Sequence, residues 1–591
     1  MATQATLHVS VAIPTYNGAG RLPGVLDQLR TQQNTIGLTW EVLVCDNNST
    51  DATADVVRQY QKDWPELSEL RYVFAAQQGA AFARQRAVEQ AQGDIIAFLD
   101  DDNVPDSDWL YNVFQFGQSH PKAGAFGSQI HGKFEGPLPK GFERIACFLA
   151  IIERGSQPHQ YVPQTKILPP AAGLAVRRQA WLEAVPRRLF LNNKGKAAGL
   201  ASEDIEALLH IQKAGWQIWY NPDMVVTHHI PNGRLQRDYL ITLFRCVGLS
   251  RYYIRLLGTK DWQRPLMVPA YIANDLRKLA LYYLRRRTEQ DWLDACEREH
   301  LVSTLKSPLF LLKKAGNDLH QSVVDRLRFP QRQSWLDRLS EAFEQEQFQL
   351  YRQRVTAVQS PAGAAEGPAD HYELLLRLNE GEAEQSLQRP IVISPGQFLP
   401  VAERYGLTAT IDRWVVRHYL QSSPEPQLHA INLSAASVCD RSFASFVADQ
   451  LTQSFIPPHC LGFEITETLV RRYFNQVRAL TQALQAMGCQ ITIDDVSFVL
   501  PPEQLCQDLQ PNYLKFSHQL VQLLVSRPVV RARTQKQVSM IHSWGSRTVA
   551  KGIDKASMLS PIRQAGIDFA QGYQLSAPVP VTGFQSLPLN V

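Results

Sequence analysis

Between residues 7 and about 230, short apolar runs alternate with segments whose apolar residues recur every three or four positions. The runs LHVSVAI, WEVLVCD and DIIAFLD predict strands, and the segments between them predict helices around Leu22–Leu29 and Ala52–Gln61. This alternation is typical of an α/β fold in which crossover helices connect the strands of a parallel sheet. Because ligands of such sheets bind beyond the carboxyl ends of the strands, we expect the chemistry at that edge.

From about residue 235 to 340 the pattern becomes helical, with many arginines and few strand-like runs. Within it, residues 265–287 place aliphatic and aromatic residues beside Arg277, Lys278, Arg285, Arg286 and Arg287. A helix of this kind can lie on an anionic membrane surface. A packed helix with a solvated basic end is the interpretation that the sequence favours, and both stay open.

After Phe348, eight strand-like runs follow within about 250 residues: FQLYRQRV, HYELLLRL, HAINLS, LGFEITE, QITIDDV, NYLKFSH, SRTVAKGID and IDFAQGYQLS. Their number and spacing predict a (β/α)8 barrel. The Pro-, Gly- and Ala-rich stretch 361–370 predicts an insertion between the first two barrel strands. We therefore predict an α/β domain over 1–240, a helical connector over 241–337 and a barrel over 338–591.

Length and composition agree with several globular domains. The chain has 591 residues, more than one hydrophobic core can support. The formal net charge of +4 is too small to indicate nucleic acid as the main partner. The eight cysteines form no C-x-x-C pair, the N-terminus does not resemble a secretory signal, and no apolar stretch is long enough to span a membrane. We expect a cytoplasmic protein.

Three adjacent carboxylates, Asp100, Asp101 and Asp102, end the apolar run IIAFLDDDN. Carboxylates packed together repel one another unless a cation neutralises them, and hard ions such as Mg²⁺ or Mn²⁺ prefer oxygen ligands. Such an ion often bridges to a diphosphate. By itself the triplet also fits a solvated acidic loop or a helix N-cap.

The ends of three predicted strands together resemble the family-two glycosyltransferases of the GT-A type. The usual elements of that family read here VAIPTYNG, LVCDNNSTD, QQGAAFARQRAVEQAQGD and IIAFLDDDNVPDSDWL. The resemblance implies a Rossmann-like nucleotide-sugar domain. The donor-side residues that it implies are Pro14, Thr15, Tyr16, Asp46, Arg84 and Asp100, with Asp102 as a ligand of Mn²⁺ or Mg²⁺.

A later segment, GLASEDIEALLHIQKAGWQIWYNPDMVVTHH, resembles the part of that family in which the Asp of an ED pair is the general base, here Asp204. A sugar hydroxyl needs such a base because it is a poor nucleophile until a carboxylate takes its proton. The resemblance also implies that His228 completes the metal shell of an inverting enzyme, with His229 as the alternative and a structural histidine as a further one. The following segment, HHIPNGRLQRDYLITLFRCVG, is similar to glycosyltransferases of cyanobacterial hormogonium polysaccharide biosynthesis.

Polar residues at the ends of the barrel strands would converge on one rim, which favours a metal site. They are Glu373, Asn432, Glu464, Asp494 and Asp495. From about residue 338 to the end, the chain also resembles EAL-type phosphodiesterases of cyclic diguanylate. The matching elements are YELLLRL, INLS, FEITETLV, TIDDVS, YLKFS, VAKGID and AQGYQLSAPV.

Three of these elements depart from the family pattern. The family's DDFG reads DDVS here, its LKID ends in Ser517 after Lys515, and its EGVE begins with Lys551. An ammonium beside a two-metal site repels the second cation and can neutralise the remaining carboxylates. We therefore interpret the barrel as a degenerate phosphodiesterase domain that senses or scaffolds, with Arg377 and Lys515 available to phosphates.

These observations support one leading hypothesis and two alternatives. The leading hypothesis is a metal-dependent, inverting, hexosyltransferase-like glycosyltransferase that moves a sugar from a nucleotide-sugar donor to a glycan or lipid-linked acceptor in polysaccharide biosynthesis. Its barrel would be regulatory or scaffolding, and peripheral membrane contact would run through 265–287. The alternatives are a cyclic diguanylate phosphodiesterase and a non-catalytic cyclic diguanylate effector.

Overall fold

A computed structural model of the chain describes residues 7–162, 168–192, 200–285, 292–328, 332–358, 370–380, 391–422 and 427–581. Contacts within the chain divide it into two compact units, residues 1–344 and 345–591. The predicted mixed α/β class is confirmed, with a Rossmann-like sheet in the first unit and an eight-stranded barrel in the second. The three-part division into 1–240, 241–337 and 338–591 stays a prediction.

The described residues of the first unit form nine strands, around which its helices pack. The strands are β1 Leu7–Thr15, β2 Trp40–Asp46, β3 Ser68–Phe74, β4 Gly93–Phe98, β5 Asn103–Pro105, β6 Ala123–Phe134, β7 His159–Gln160, β8 Ala175–Arg177 and β9 Gln217–Ile230. The helices are α1 Leu22–Arg30, α2 Thr53–Lys62, α3 Ala80–Gln90, α4 Trp109–Ser119, α5 Arg178–Ala184, α6 Glu203–Lys213, α7 Arg237–Leu257, α8 Arg264–Arg285, α9 Trp292–Arg328 and α10 Arg332–Glu344.

The strand order of this sheet is β3-β2-β1-β4-β8-β6-β9-β5, with β7 beside β9. Strand β1 lies between β2 and β4 and is parallel to both, so the carboxyl ends of the three strands are neighbours. Alternate residues of these strands belong to two separate apolar clusters, one on each face of the sheet. A strand buried on both faces is apolar along its whole length, which explains the continuous apolar runs in the sequence.

Helix α10 packs against the edge strand β3 of the first unit. The rings of Phe343 and Phe74 lie 4.5 Å apart between centroids. The Glu344 carboxylate accepts a hydrogen bond from the Phe74 amide at 2.7 Å and from Arg86 Nη2 at 3.1 Å. This carboxylate therefore satisfies an edge-strand amide that would otherwise have no strand partner.

In the part of the second unit that the structure describes there are ten strands, most of which are followed by helices. The strands are β10 Phe348–Ala357, β11 His371–Glu380, β12 Ile391–Ile393, β13 His429–Asn432, β14 Leu461–Thr466, β15 Gln490–Val496, β16 Tyr513–Phe516, β17 Arg547–Lys551, β18 Phe569–Gln571 and β19 Val579–Pro580. The helices are α11 Pro395–Arg404, α12 Thr408–Gln421, α13 Ala435–Cys439, α14 Phe443–Thr452, α15 Glu467–Arg472, α16 Phe474–Ala486, α17 Pro502–Leu509, α18 His518–Ser526, α19 Pro528–Ser543 and α20 Leu559–Gln564.

Eight of these strands close into a barrel, in the order β11-β13-β14-β15-β16-β17-β18-β10 and back to β11. Strand β10 is antiparallel to both of its neighbours, whereas the other seven strands are parallel. Antiparallel neighbours need no crossover helix, so β10 and β11 form a hairpin. The predicted insertion 361–370 falls on that connection, and its residues 361–369 lie outside the described residues.

We predict that Phe343→Ala lowers the free energy of unfolding of the first unit by about 3 kcal/mol, since it removes a buried ring. Hydrogen exchange measured by mass spectrometry on the full chain should show faster exchange in β3 and unchanged exchange in β14. Phe455→Ala, which truncates a fully exposed side chain of the second unit, is the control. Faster exchange confined to the barrel strands would contradict the assignment of α10 to the first unit.

Candidate functional site

The acidic triplet follows β4 at the edge where the ends of β1, β2 and β4 meet. Its three carboxylates point apart instead of sharing one position. Each is paired with a different arginine: Asp100 with Arg84 at 3.4 Å, Asp101 with Arg21 at 2.8 Å and Asp102 with Arg234 at 2.9 Å. Repulsion within the triplet is therefore relieved by the chain's own guanidinium groups, and crowding alone does not require a metal ion.

Asp101 is held by the end of β1 and by the loop that follows this strand. The Thr15 hydroxyl donates to Asp101 Oδ2 at 2.5 Å, and Arg21 donates to both carboxylate oxygens at 2.8 Å. Gly18 lies so close that a Cβ atom there would be 2.0 Å from Thr15 Oγ1. Thr15, which we predicted on the donor side, thus directs its hydroxyl to Asp101, while Tyr16 next to it is exposed and Pro14 is half-buried.

Asp102 and His228 face one another across strands β5 and β9. His228 Nδ1 lies 2.9 Å from the Leu149 carbonyl, which makes Nδ1 the donor and leaves the lone pair on Nε2. Nε2 lies 3.6 Å from Asp102 Oδ1 and accepts from Arg234 Nη1 at 3.1 Å.

This pair fits a divalent cation in its chemistry. A carboxylate oxygen and an imidazole lone pair 3.6 Å apart can both reach one ion at bond lengths of roughly 2.1 Å. The Arg234 guanidinium contacts both Asp102 and His228 and so already supplies positive charge at this position. His229, the alternative ligand, contributes its backbone amide to the Asp102 carbonyl at 2.9 Å. Within the described residues, no group of three or more His, Cys, Asp and Glu side chains is arranged to hold a metal.

Asp46 is buried at the end of β2. The Ser49 amide donates to its Oδ1 at 2.9 Å, and the Tyr72 hydroxyl donates to its Oδ2 at 2.8 Å. Burial raises the pKa of Asp46 despite these hydrogen bonds. The loop after β1 is attached here as well, because Asn17 accepts from the Thr50 amide at 2.8 Å. Asp46 therefore fixes the loop that follows β2 against β3.

Arg84 connects the donor side of the site to the predicted base. Its guanidinium donates to Glu203 at 2.9 Å and to Asp100 at 3.4 Å, and the charge of Asp204 also contributes to raising its pKa. Burial alone would lower that pKa, but the three carboxylates outweigh it. The buried Nε of Arg84 has no hydrogen-bond partner. This donor is thus free to bind a ligand atom.

Asp204 lies in the first turn of α6. Its two oxygens accept from the Ala171 amide at 3.0 Å and from the Ile205 amide at 2.8 Å, which orients the carboxylate. Burial raises its pKa, against the opposing charge of Arg84. Glu206, two residues later, accepts from the Phe190 and Leu191 amides and so holds the loop beside α6. A carboxylate of raised pKa that stays oriented suits a general base.

Arg21 and Arg234, the partners of Asp101 and Asp102, are polar residues of this edge that the sequence interpretation missed. The repulsion within the acidic triplet was the signal for cationic partners, and we assigned that role to a metal alone. Spacing gives no further signal, because Arg21 and Arg234 come from loops about 80 and 130 residues from Asp102.

In the barrel, Lys515 lies buried between two carboxylates. Its ammonium donates to Glu373 Oε2 at 2.5 Å and to Glu464 Oε2 at 3.0 Å. Asn432 and Gln571 also donate to Glu373. Burial would raise the pKa of Glu373, but the ammonium and these amides lower it to about 2. Burial and the negative charge of Glu373 raise the pKa of Glu464 to about 8. The Lys515 ammonium opposes this rise, but it is shared between the two carboxylates and does not offset it.

Lys551 neutralises the second acidic group of the barrel. Its ammonium lies 3.0 Å from Asp494 Oδ1 and 2.9 Å from Asp495 Oδ1. Ser517, where the family resemblance leads us to expect an acid, accepts from the Leu520 amide at 3.2 Å as the N-cap of α18. Ser517 also accepts from the Ser497 hydroxyl at 2.7 Å. The departures from the family pattern therefore lie together at one side of the rim.

Two family models match the chain. Residues 10–184 match the model described as Glycosyl transferase family 2, and residues 336–578 match the EAL domain model. The chain thus joins a family-two glycosyltransferase domain to an EAL domain, as the sequence predicts. Its membership of the hormogonium polysaccharide subgroup stays a prediction. The EAL match begins inside α10, which contacts assign to the first unit.

Curated relatives match the EAL part of the chain. Cyclic di-GMP phosphodiesterase PdeF of Escherichia coli is 29% identical over 252 residues, which are 42% of this chain and 32% of that protein. Cyclic di-GMP phosphodiesterase PdeB of Shewanella oneidensis is 26% identical over 256 residues, or 42% of this chain and 28% of that protein. The chain thus spans about a third of the length of these relatives.

Solved EAL domains are also similar to this chain. The FimX EAL domain of Xanthomonas citri in complex with c-diGMP is 22% identical, with a TM-score of 0.38, and covers 44% of this chain and 99% of its own. The FimX EAL domain of Pseudomonas aeruginosa bound to c-di-GMP is 26% identical, with a TM-score of 0.37, and covers 42% of this chain and 96% of its own.

We predict that Gly18→Ala weakens the binding of nucleoside diphosphate to the first unit about tenfold. The added methyl group must displace the Thr15 hydroxyl and the Asp101 carboxylate, which lie 2.0 and 2.7 Å from the ideal Cβ position. Titration calorimetry measures the affinity. Gly20→Ala is the control, because no heavy atom lies within 4 Å of its ideal Cβ position. Equal affinities of the two variants would contradict this prediction.

Proposed function

We propose that the first unit is a metal-dependent, inverting glycosyltransferase that moves a sugar from a nucleotide-sugar donor to a glycan or lipid-linked acceptor. The family match supports transferase chemistry in general. The observation that carries the finer proposal is Arg84, whose guanidinium contacts Asp100 on the donor side and Glu203 beside Asp204. One buried cation thus joins the two halves of such a site.

In this proposal Asp204 is the general base. The acceptor oxygen bonds to the anomeric carbon, the bond from that carbon to the diphosphate oxygen breaks, and the acceptor proton passes to Asp204. Attack opposite the leaving group inverts the anomeric centre. The amides of Ala171 and Ile205 keep the carboxylate oriented, and its raised pKa makes it a stronger base.

Asp102 and His228 would hold a Mn²⁺ or Mg²⁺ ion, which stabilises the charge of a departing diphosphate. The hydrogen bond to Leu149 fixes the His228 tautomer that carries its lone pair on Nε2. Arg234 shares the contacts of that lone pair and of Asp102, so it must give up at least one of them when a cation is held there. Pro14, Tyr16 and Asp46 would line the nucleotide side.

A donor screen tests the proposal directly. Full-length protein with Mn²⁺ should hydrolyse one class of nucleotide sugar slowly without acceptor, measured as release of nucleoside diphosphate. The finding of no donor binding and no hydrolysis across the common nucleotide sugars would overturn the proposal.

We predict that Asp204→Asn and Asp102→Asn distinguish the role of the general base from that of the metal ligand. Loss of the base should lower turnover by about 10²–10⁴-fold and leave Mn²⁺-donor affinity nearly unchanged. Loss of the Asp102 charge should lower both turnover and Mn²⁺ affinity. Calorimetry and initial rates on the same samples measure both quantities. Asp223→Asn, an exposed position on the strand of His228, is the control and should behave as wild type. Wild-type turnover by the Asp204 variant would refute its assignment.

The second unit has a candidate function of its own. Lys551 contacts Asp494 and Asp495, and Ser517 stands where the family pattern has an acid, which supports a cyclic diguanylate effector or scaffold over a two-metal phosphodiesterase. Arg377, which stacks on Tyr351, would offer positive charge to the phosphates of such a ligand. Lys515, which we also expected to be available to phosphates, is buried and already pairs with Glu373 and Glu464. Catalysis by this unit as a phosphodiesterase remains the alternative, as does a barrel that binds no ligand.

We predict that the full chain hydrolyses cyclic diguanylate negligibly, even with Mg²⁺ or Mn²⁺. Lys551→Glu combined with Ser517→Asp should strengthen Mn²⁺ binding, because two acids replace an ammonium and a hydroxyl while Asp still caps α18. Adding Asp494→Asn should remove that gain, which makes it the matched control. Chromatography for the linear dinucleotide and calorimetry for Mn²⁺ measure the two outcomes. Robust hydrolysis by the unmodified chain would favour the phosphodiesterase alternative.

None of the described helices is long and apolar enough to cross a membrane. We also propose that the protein is cytoplasmic and that residues 265–287 make peripheral contact with the inner face of the membrane. Arg286 and Arg287 of that range lie outside the described residues.

A further inference from the structure

Helix α8 presents an apolar face to solvent. Starting at Trp262, just before the helix, an exposed apolar residue occurs every three or four positions. These residues are Trp262, Leu266, Pro269, Ala273, Leu276, Ala280 and Leu284. Residues at this spacing share one side of a helix. Leu284 is 76% exposed, and Trp262 and Leu266 are each 70% exposed. The exposed face therefore runs the whole length of α8.

The opposite side of α8 packs against the rest of the first unit through apolar residues such as Val268 and Tyr271, with the acid Asp275 buried among them. Asp275 is buried and forms a two-pronged ion pair with Arg255, with oxygen–nitrogen distances of 2.5 and 3.0 Å. The Tyr282 hydroxyl donates to the Asp294 carbonyl at 2.9 Å. A surface helix normally exposes polar residues on the side away from its packing, so the exposed apolar side of α8 is unusual.

Helix α9 extends this surface. Leu311 packs in one cluster with Val268 and Tyr271 of α8, which places the adjoining turn of α9 beside the helix. Leu309 and Leu312, on either side of Leu311, are 75% and 71% exposed. We name the exposed apolar positions of 262–284 together with Leu309 and Leu312 the α8 face. Contiguous apolar surface of this kind marks an interaction site.

The charges around the α8 face are almost all positive. Asp275 is the only acid between residues 262 and 284, and it is buried. No acid occurs between residues 300 and 317. Exposed cations border both helices, at Arg277, Lys278, Lys306 and Lys313. An apolar face with a basic border is complementary to an anionic lipid surface, where apolar side chains enter the acyl boundary and cations meet headgroups.

The α8 face is tied to the helix that carries the proposed base. Phe190 and Leu191 pack in the same cluster as Val268 and Leu311. Their amides donate to Glu206, two residues after Asp204 on α6, and the Tyr253 hydroxyl of α7 donates to the same carboxylate at 2.9 Å. Packing and hydrogen bonds thus connect the face to the acceptor side of the site.

We infer that the α8 face docks the first unit on an anionic bilayer and that the acceptor is a lipid-linked glycan presented from that surface. The acceptor part of this inference rests on the proposed transferase function, whereas the docking part does not. Docking would hold Asp204 at a constant distance from the membrane, where a lipid-linked hydroxyl is concentrated.

Co-sedimentation of the full chain with vesicles tests the docking. Wild type should bind vesicles that contain about one third phosphatidylglycerol at least tenfold more tightly than pure phosphatidylcholine vesicles, with binding weakened by salt. Leu266→Asp with Leu276→Asp should abolish binding. Ile36→Asp with Leu67→Asp, which changes two exposed apolar residues elsewhere in the first unit, is the matched control and should bind as wild type.

A second double variant separates the contribution of charge to vesicle binding from that of apolar contact. Arg277→Gln with Lys278→Gln should lose most of the preference for anionic vesicles and most of the salt dependence. Absence of wild-type binding, or equal binding by the Leu266/Leu276 variant, would overturn the inference. So would sedimentation as a dimer that the Leu266/Leu276 variant converts to a monomer while vesicle binding persists, because a second copy would then cover the face.

A separate measurement tests whether the acceptor is a lipid-linked glycan. Donor hydrolysis in solution should be unchanged in the Leu266/Leu276 variant, whereas transfer to acceptors embedded in anionic vesicles should fall at least tenfold. Equal transfer to embedded acceptors by both proteins would overturn the lipid-linked acceptor. Absence of donor hydrolysis in every protein, with vesicle binding intact, would refute the transferase proposal and leave the docking standing.

Discussion

Acidic side chains crowded at the ends of strands need opposite charge within contact distance, because burial and mutual repulsion both oppose their ionised forms. Arginines from three distant places in the first unit meet Asp100, Asp101 and Asp102. In the barrel, two lysines meet four carboxylates. Loops far apart in the sequence are thereby fixed against one edge of each sheet, and the shape of both candidate sites depends on these pairs.

Much of the fold could be predicted from the sequence, because strands buried on both faces must be apolar along their length. The runs ending at Thr15 and Asp46 show this for the sheet. The direction of β10 could not be predicted, since an antiparallel hairpin strand and a parallel barrel strand share the same alternation. The strand ends also indicated where chemistry would lie, and the structure brings Arg84, Asp100 and Glu203 into contact there.

The ion-pair partners are the part of the site that sequence reasoning could not supply. A cluster of like charges shows that a cation is needed, but whether the cation is a metal, an arginine or both depends on loops whose course no periodicity encodes. Arg234 shows this, since nothing in its spacing from Asp102 marks it as a partner. The orientation of α8 was undetermined for a related reason: helical spacing defines a face but not the side that packs inward.

The internal pairing of charges also separates folding from metal supply. In proteins whose acids or thiolates cluster only around an ion, the free energy of binding that ion is part of the free energy of folding, and chelation unfolds them. Here Arg21, Arg84 and Arg234 meet the acids of the sheet edge, and Lys515 and Lys551 meet those of the barrel. If the proposed metal dependence holds, removal of the ion should therefore stop turnover without unfolding the chain.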